Sequence, residues 1–356
     1  MAAGSTIDRR DSPQVSVVMP AYNAARFIRF AIRSALAQTL RDLELLVVDD
    51  GSSDATVAIV EEEAALDPRV VLLRMEVNSG SGAARNRGFT IARGRWIALL
   101  DSDDLMAPDR LERLIDLGER LKTDMVADNL VRFASPHGAL IPHLAEDRDF
   151  TLDAARYLRQ NLFYEKSHHH GLLQPVIRTE ALRRSGQVYN EQLRMMSDDE
   201  LHVRLLLEGL RMHVHPRPTY FYRLHGGGIS QGLPRRRHVA DILEASRRVL
   251  AHYRSHPVAD LLARRCRAFE RGVDYLDFIA ALKQRDGRTA FRLARARPSI
   301  LPLLRTPLGN VLSRFGSATQ VPGRADLRAG LEEAMRLAGE AAPASALTTG
   351  VSKGRT

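Results

Sequence analysis

The sequence predicts an α/β protein: an open, mostly parallel sheet flanked by helices, with a helical extension at its C-terminal end. Three observations predict it. Short, near-continuous apolar runs recur at residues 15–19, 43–48, 70–73 and 96–100. Segments with apolar residues at helical spacing separate them. Polar turn residues close the runs, as expected of strands buried on both faces and joined by crossover helices.

Residues 15–19 are a β-branched apolar run stopped by Pro20, and Phe27, Ile28, Ala31, Ile32, Ala35 and Leu36 then form one helical stripe. The run at 43–48 ends in Asp49-Asp50-Gly51-Ser52-Ser53-Asp54. That segment supplies a glycine turn and N-cap candidates for a helix over 56–65. A third strand at 70–73 leads into a loop at 78–82 and a helix beginning near Ala83. The strand at 96–100 ends at Asp101-Ser102-Asp103-Asp104, and Pro108 sits where the next helix starts. Leu111, Leu114, Ile115 and Leu117 give that helix its apolar face, and residues 125–127 read as a fifth strand. Beyond Pro234 the pattern is helical, with Val239, Ile242 and Leu243 on one stripe and Tyr275, Phe278, Ile279 and Leu282 on another. The expected boundaries are a flexible N-terminus over 1–14, an α/β domain over 15–232, a basic helical extension over 233–337 and a disordered tail over 338–356, rich in Ala, Gly, Ser and Thr.

Composition narrows the function classes. A chain of 356 residues has room for roughly two domains of about 150 residues. With 44% hydrophobic and 27% charged residues, wholesale disorder is excluded. No run approaches the roughly 18 to 20 apolar residues of a membrane-spanning helix, and the polar first 14 residues show no secretory signal. Cys266, the single cysteine, has no partner for an internal disulfide, so a cytoplasmic setting is expected. The net charge of +9 is uneven: residues 235–356 hold 23 Lys/Arg against 11 Asp/Glu, and the first 234 hold 29 against 32. Six basic residues between Lys283 and Arg297, with Phe291 and Leu293 among them, suggest docking on an anionic membrane surface. Packing on the catalytic domain or against a second copy in a homodimer is the alternative. No nucleic-acid motif accompanies the charge, so nucleic acid is not an expected partner.

In open α/β sheets, ligands bind outside the carboxyl ends of the strands. Pro20 to Asn23, Asp49 with Asp50, and Asp101 to Asp104 fall at such ends, so three polar clusters converge on one crevice. Asp101 and Asp103 are hard oxygen ligands suited to Mg²⁺ or Mn²⁺, whose remaining positions water and substrate phosphates fill. The plainer alternative is a polar loop in which Asp103 or Asp104 caps the next helix. The loop at 78–82 lacks the Gly-x-Gly-x-x-Gly spacing of a dinucleotide site. His168-His169-His170 has no Cys or acidic partner at zinc spacing and reads as polar surface or the wall of an acceptor groove.

Four segments carry a resemblance: Val15-Ser-Val-Val-Met-Pro-Ala-Tyr-Asn23, Leu46-Val-Val-Asp-Asp-Gly-Ser-Ser-Asp54, Gly82-Ala-Ala-Arg-Asn-Arg-Gly88 and Ala98-Leu-Leu-Asp-Ser-Asp-Asp104. In order and spacing they resemble family 2 glycosyltransferases, over roughly residues 15 to 230. Within that family the chain is most similar to bacterial exopolysaccharide glycosyltransferases of the succinoglycan type. The resemblance implies the GT-A nucleotide-diphospho-sugar transferase fold and metal-dependent, inverting transfer from a UDP-sugar, with UDP-glucose as the expected donor. The implied acceptor is a glycan or lipid-linked oligosaccharide, and the implied location is cytoplasmic, on the inner face of the membrane. By position, Pro20 and Tyr22 would line the nucleobase pocket, Asp50 would bond the uracil ring, and Arg85 would shape that pocket. Asp101 would sit near the ribose, and Asp103 would bind the Mn²⁺ or Mg²⁺ that bridges the diphosphate.

Met196-Ser-Asp-Asp-Glu-Leu-His-Val-Arg-Leu205 resembles the family segment that supplies the general base. Alignment through Leu201 and Arg204 puts the base at Asp198, with Asp199 as the alternative because Ser197 replaces the family's glutamate. Tyr220-Phe-Tyr-Arg-Leu-His-Gly-Gly-Gly-Ile-Ser230 resembles the closing segment. There Arg223 would pair with phosphate oxygens, His225 would complete the metal shell or touch phosphate, and the glycines would suit a mobile flap. Two other readings remain: a nucleotide-sugar-binding scaffold whose catalytic segment has decayed, favoured only by Ser197, and a sugar-phosphate nucleotidyltransferase. The second needs a Gly-rich, Lys-bearing loop after the first strand, where the chain has Pro20-Ala-Tyr-Asn.

Overall fold

The computed structural model describes residues 12–134, 138–160, 170–226, 236–304 and 324–340. β1 (Val15–Ala21), β2 (Leu43–Asp49), β3 (Val70–Arg74) and β4 (Trp96–Leu99) run parallel in the order β3-β2-β1-β4. The crossovers are α1 (Ile28–Leu36), α2 (Thr56–Leu66) and α3 (Ser81–Ile91). Every residue of β1 and β2 is buried, because helices cover both faces of the sheet. Alternation along the strand decides which face each side chain meets. Val15, Val17 and Met19 pack with Ile28, Ile32 and Leu111, while Val18, Leu46 and Leu99 pack with Phe89, Leu201 and Leu205.

β1 continues through Pro20, where the sequence predicts its end. The ladder to β4 stops at Val18–Leu99, so a residue without an N–H is tolerated two positions further on. The far half of the sheet is mixed. β5 (Leu105–Met106), β6 (Met125–Phe133), β9 (Val176–Arg178) and β10 (Met212–Arg223) extend the order as β4-β9-β6-β10-β5. Two short strands, β7 (Ile141–Pro142) and β8 (Phe150–Leu152), pair with β6 and β10. β10 is parallel to β6, whereas the three-residue β9 runs antiparallel between β4 and β6. Parallel ladders remain the longest, as the apolar runs predict.

α4 (Arg110–Leu121) is anchored by its first residue. The fully buried Arg110 pairs with Asp128 of β6 at 2.8 Å and donates to the Gln174 carbonyl at 2.5 Å. Asp128 in turn accepts the Thr219 N–H at 3.1 Å, which fixes the stretch of β10 that carries Tyr220 and Arg223 to the crevice. α5 (Ala154–Gln160), α6 (Thr179–Ser185) and α7 (Ser197–Leu207) complete the second helical layer.

The C-terminal extension packs on this body. α8 (Arg236–His252) and α9 (Ala259–Lys283) contribute Val249 and Leu262 to the core beside α7, and α10 (Gly287–Ala296) lies on α9. α11 (Arg324–Ala338) inserts Leu331, Ala334 and Met335 against Leu105, Phe133 and Phe221. Its buried last residue, Ala338, falls inside the segment expected as a tail, and the ordered chain continues through Gly339 to Glu340. The rest of that tail, residues 1–11 and the flap residues 227–230 lie outside the described residues. Among the described residues, no helix is long and apolar enough to cross a membrane.

Glu119, near the end of α4, supplies a pH dependence. Burial pushes its carboxyl up, but bonds from Arg178, the Trp96 indole and Arg95 outweigh burial and bring it from 4.5 to about 2. A depressed carboxyl stabilises the fold above its unfolded value, and that contribution is lost as pH falls from about 4.5 toward 2. Glu119→Gln therefore flattens the fall in melting temperature between pH 5 and pH 3 (~2 pH units spanning this titration). Thermal melts of both proteins across that range check it, and parallel curves would contradict it.

Candidate active site

The crevice opens at the carboxyl ends of β1, β2 and β4. The buried Pro20 lies near the end of β1, and the chain then passes the half-exposed Tyr22 and turns at Asn23, whose φ is +48°. Asn23 Oδ1 accepts the Ser53 N–H at 2.8 Å, and its own N–H donates to Ser52 Oγ at 2.9 Å. Pro20, near the end of β1, and Tyr22 thus sit beside a turn tied to the loop after β2. Asp50 directly follows β2. Its buried carboxylate accepts backbone N–H bonds from Ser79 and Gly80, both at 2.7 Å, one on each oxygen. Asp50 thereby anchors the loop that starts α3.

α3 delivers Arg85, which joins two segments far apart in sequence. Its guanidinium donates to Asp101 Oδ1 at 2.6 Å and lies 3.3 Å from Asp198 Oδ1. Burial alone would lower the pKa of Arg85, but the charges of Asp198 and Asp101 hold it well above the ordinary value. Asp101 moves up, first through burial and then through the neighbouring Asp198 and Asp103, with Arg85 opposing. Arg85 Nε is buried without a hydrogen-bond partner among the described residues. The Tyr189 ring packs 5.2 Å from the guanidinium, and its hydroxyl donates to Asp198 Oδ1 at 2.7 Å.

The two candidate bases therefore have different surroundings. Asp198 is 20% exposed, and its Oδ2 has no protein partner among the described residues. Asp199 is buried, with Tyr157 donating to Oδ1 at 2.9 Å and Arg265 of α9 paired with Oδ2. One step along a helix rotates the side chain by about 100°. Asp199, the expected alternative base, links α7 to α9. His170 is corrected: it is buried, edge-on to Phe150 and close to Tyr157, and so is not polar surface. His168 and His169 lie outside the described residues.

At the end of β4, Asp103 meets His225, with His225 Nε2 2.7 Å from Asp103 Oδ2. Their side chains are 32% and 18% exposed, and the Phe27 ring packs tilted against the imidazole, 4.8 Å between centroids. A carboxylate oxygen and an imidazole nitrogen at this separation fit Mn²⁺ or Mg²⁺ chelated from one side. No group of three such ligands occurs among the described residues, so a metal here would take its other ligands from water and substrate oxygens.

Arg223 does not present its guanidinium to the crevice as expected. It is 6% exposed, sits 4.8 Å from both Phe27 and Phe133, and forms a two-pronged pair with Glu340 at 2.9 and 2.7 Å. Its Nε donates to the Asp103 carbonyl at 2.8 Å. Sequence reasoning missed three residues here. Asp104 accepts from the Tyr220 hydroxyl at 2.8 Å and the Arg223 N–H at 2.7 Å, and burial, then Asp103 and Asp101, push its carboxyl well up. Tyr220 also accepts the Asp101 N–H at 3.2 Å, and so holds the acidic turn together. Tyr189 is the third. No local pattern marks either tyrosine; Asp104 was visible, but read only as a helix cap.

The fold and this crevice define a nucleotide-sugar transferase class, and comparison with known proteins identifies the family. The model for glycosyl transferase family 2 matches residues 16–180. The chain is 35% identical to the succinoglycan biosynthesis protein ExoO of Rhizobium meliloti, over 86% of this chain and 88% of that protein. It is 30% identical to ExoU of the same organism, over 89% and 95%. The chain belongs to glycosyltransferase family 2. In fold it is similar to a fragment of S. aureus TarS solved in complex with UDP-GlcNAc, with a TM-score of 0.57 and 18% identity, covering 80% of this chain and 92% of that one. The GT-A fold expected from the resemblance is the fold observed.

Proposed function

We propose that the protein transfers a hexose, with inversion, from a UDP-sugar to a growing lipid-linked exopolysaccharide, with UDP-glucose as the expected donor. The observation that carries this reading is Arg85, which bridges Asp101 beside the expected donor site to Asp198, the expected base. Asp198 Oδ2 takes the proton from the acceptor hydroxyl. The hydroxyl oxygen bonds to the anomeric carbon as the bond from that carbon to the diphosphate oxygen breaks, and its electron pair leaves with UDP. Tyr189 and Arg85 hold Asp198 in place, and Asp104 with Tyr220 holds the turn that carries Asp101 and Asp103. Asp103 and His225 would hold Mn²⁺ or Mg²⁺, which supplies positive charge against the leaving diphosphate. Tyr22 offers its exposed ring to the uracil. The UDP-GlcNAc bound by the TarS fragment and the succinoglycan role of the two relatives support the donor class and the pathway. Calorimetric titration tests it: UDP binds more tightly with Mn²⁺ than with EDTA, and more tightly than ADP or GDP. Equal affinity for all three, or no effect of metal, contradicts it.

The same reading includes a peripheral position on the inner face of the cell membrane. On α10, Phe291 is 68% exposed and is flanked at helical spacing by the exposed Arg288, Arg292 and Arg295. An exposed aromatic ringed by guanidiniums suits an anionic lipid surface. α9 joins this patch rigidly to the site: Arg265, paired with Asp199, lies about 27 Å along the helix from Lys283. The full-length protein co-sediments with phosphatidylglycerol vesicles but not with phosphatidylcholine vesicles. Combined Arg288→Glu, Arg292→Glu and Arg295→Glu removes the difference. Equal binding to both vesicle types contradicts the docking.

A further inference from the structure

Arg223 ends β10, His225 follows two residues later, and the C-terminal helix reaches one of them. α11 stops at Ala338 in a left-handed turn: Gly339 has φ +73°, its N–H bonds to Arg336, and the Glu340 N–H bonds back to Met335. These are the two closing bonds of a Schellman cap, and glycine adopts this φ without strain. The turn carries Glu340 away from the helix axis and onto Arg223, where the two-pronged pair forms. Arg223 in turn grips the acidic turn twice, Nε to the Asp103 carbonyl and N–H to Asp104 Oδ1. Glu340 thus lies two bonds of a chain away from the residue that pairs with His225.

We infer that α11 and Glu340 form a strap that positions the metal-binding pair, with Glu340 acting on Asp103 through Arg223. Glu340 is a positioning residue and touches no substrate. Three features support a brace in preference to a surface ion pair. Arg223 is buried between two aromatic rings, so its charge needs a carboxylate in reach. The pair is bidentate, which fixes the guanidinium plane as well as its distance. The strap's own anchor, Leu331 with Ala334 and Met335, packs on Leu105, the residue directly after Asp104. Metal affinity in this protein therefore depends on a residue more than 230 positions from Asp103 in sequence.

This inference rests on the reading of Asp103 and His225 as the metal pair, and one experiment separates the two. Mn²⁺ is titrated calorimetrically into the full-length protein saturated with UDP, for wild type, Glu340→Gln, Glu340→Asp and Glu333→Gln. Glu333 lies half-exposed on α11, paired only with Arg336 in the described structure, and serves as the control. Loss of a supporting partner of a metal ligand lowers affinity about 10- to 100-fold. Glu340→Gln is expected to show a loss in that range, Glu340→Asp a partial recovery, and Glu333→Gln the wild-type value. Wild-type Mn²⁺ affinity in Glu340→Gln, with or without a lower melting temperature, overturns the strap while leaving the metal pair intact. Absence of Mn²⁺ binding in wild type overturns the metal pair, and the strap with it.

Discussion

Asp198→Asn abolishes sugar transfer while UDP binding is retained. A positioned general base contributes about 10² to 10⁴ in rate, so a loss in that range is expected. The substitution keeps the shape of the side chain, its amide oxygen still accepts from Tyr189, and Arg85 keeps its bond to Asp101, so the donor pocket is retained. Asp199→Asn behaves in the opposite way. It removes the carboxylate charge paired with the buried Arg265, and breaking a buried ion pair costs about 3–5 kcal/mol of stability. Neighbouring residues on one helical turn thus separate into a chemical role and a structural one. Kinetics and thermal melts of both variants check the division. Loss of UDP binding in Asp198→Asn, or an unchanged melting temperature in Asp199→Asn, contradicts it.

Asp103→Ala removes the metal dependence of transfer together with its rate. Charge stabilisation by a bound metal is worth several kcal/mol in the transition state, so the rate falls by about 10³-fold or more. Asp103 is one-third exposed, and of its side-chain atoms only the oxygen facing His225 has a protein bond in the described structure. The fold should therefore survive the change. A variant that still responds to Mn²⁺ as wild type does would show that the metal is held elsewhere.

The parallel half of the fold was legible because its signals are local. The buried runs at 15–19 and 43–48, the stripe from Phe27 to Leu36 and the polar strand ends each report their own environment within a few residues. β9 was not legible: three residues hold no period, and their antiparallel pairing depends on β4 and β6. The site divides in the same way. Residue type and position pointed to Asp101 and Asp103, the family resemblance pointed to Asp198 and His225, and these converge near the strand ends. What the sequence could not report is which groups each side chain has already engaged. Asp50 and Arg223 carry the right chemistry for uracil and phosphate, yet one is held by two backbone amides and the other by Glu340, 117 residues away. Long-range partnering of this kind leaves no periodicity to read.

The most direct measurement is UDP release from a panel of UDP-sugars, with Mn²⁺ or with EDTA, in the presence of a lipid-linked oligosaccharide fraction. Metal-dependent release from one UDP-sugar, absent in Asp103→Ala and Asp198→Asn, is the predicted result. Release that is equal in EDTA, or no release from any UDP-sugar with the acceptor fraction present, would contradict a metal-assisted transferase built on Asp103, Arg85 and Asp198.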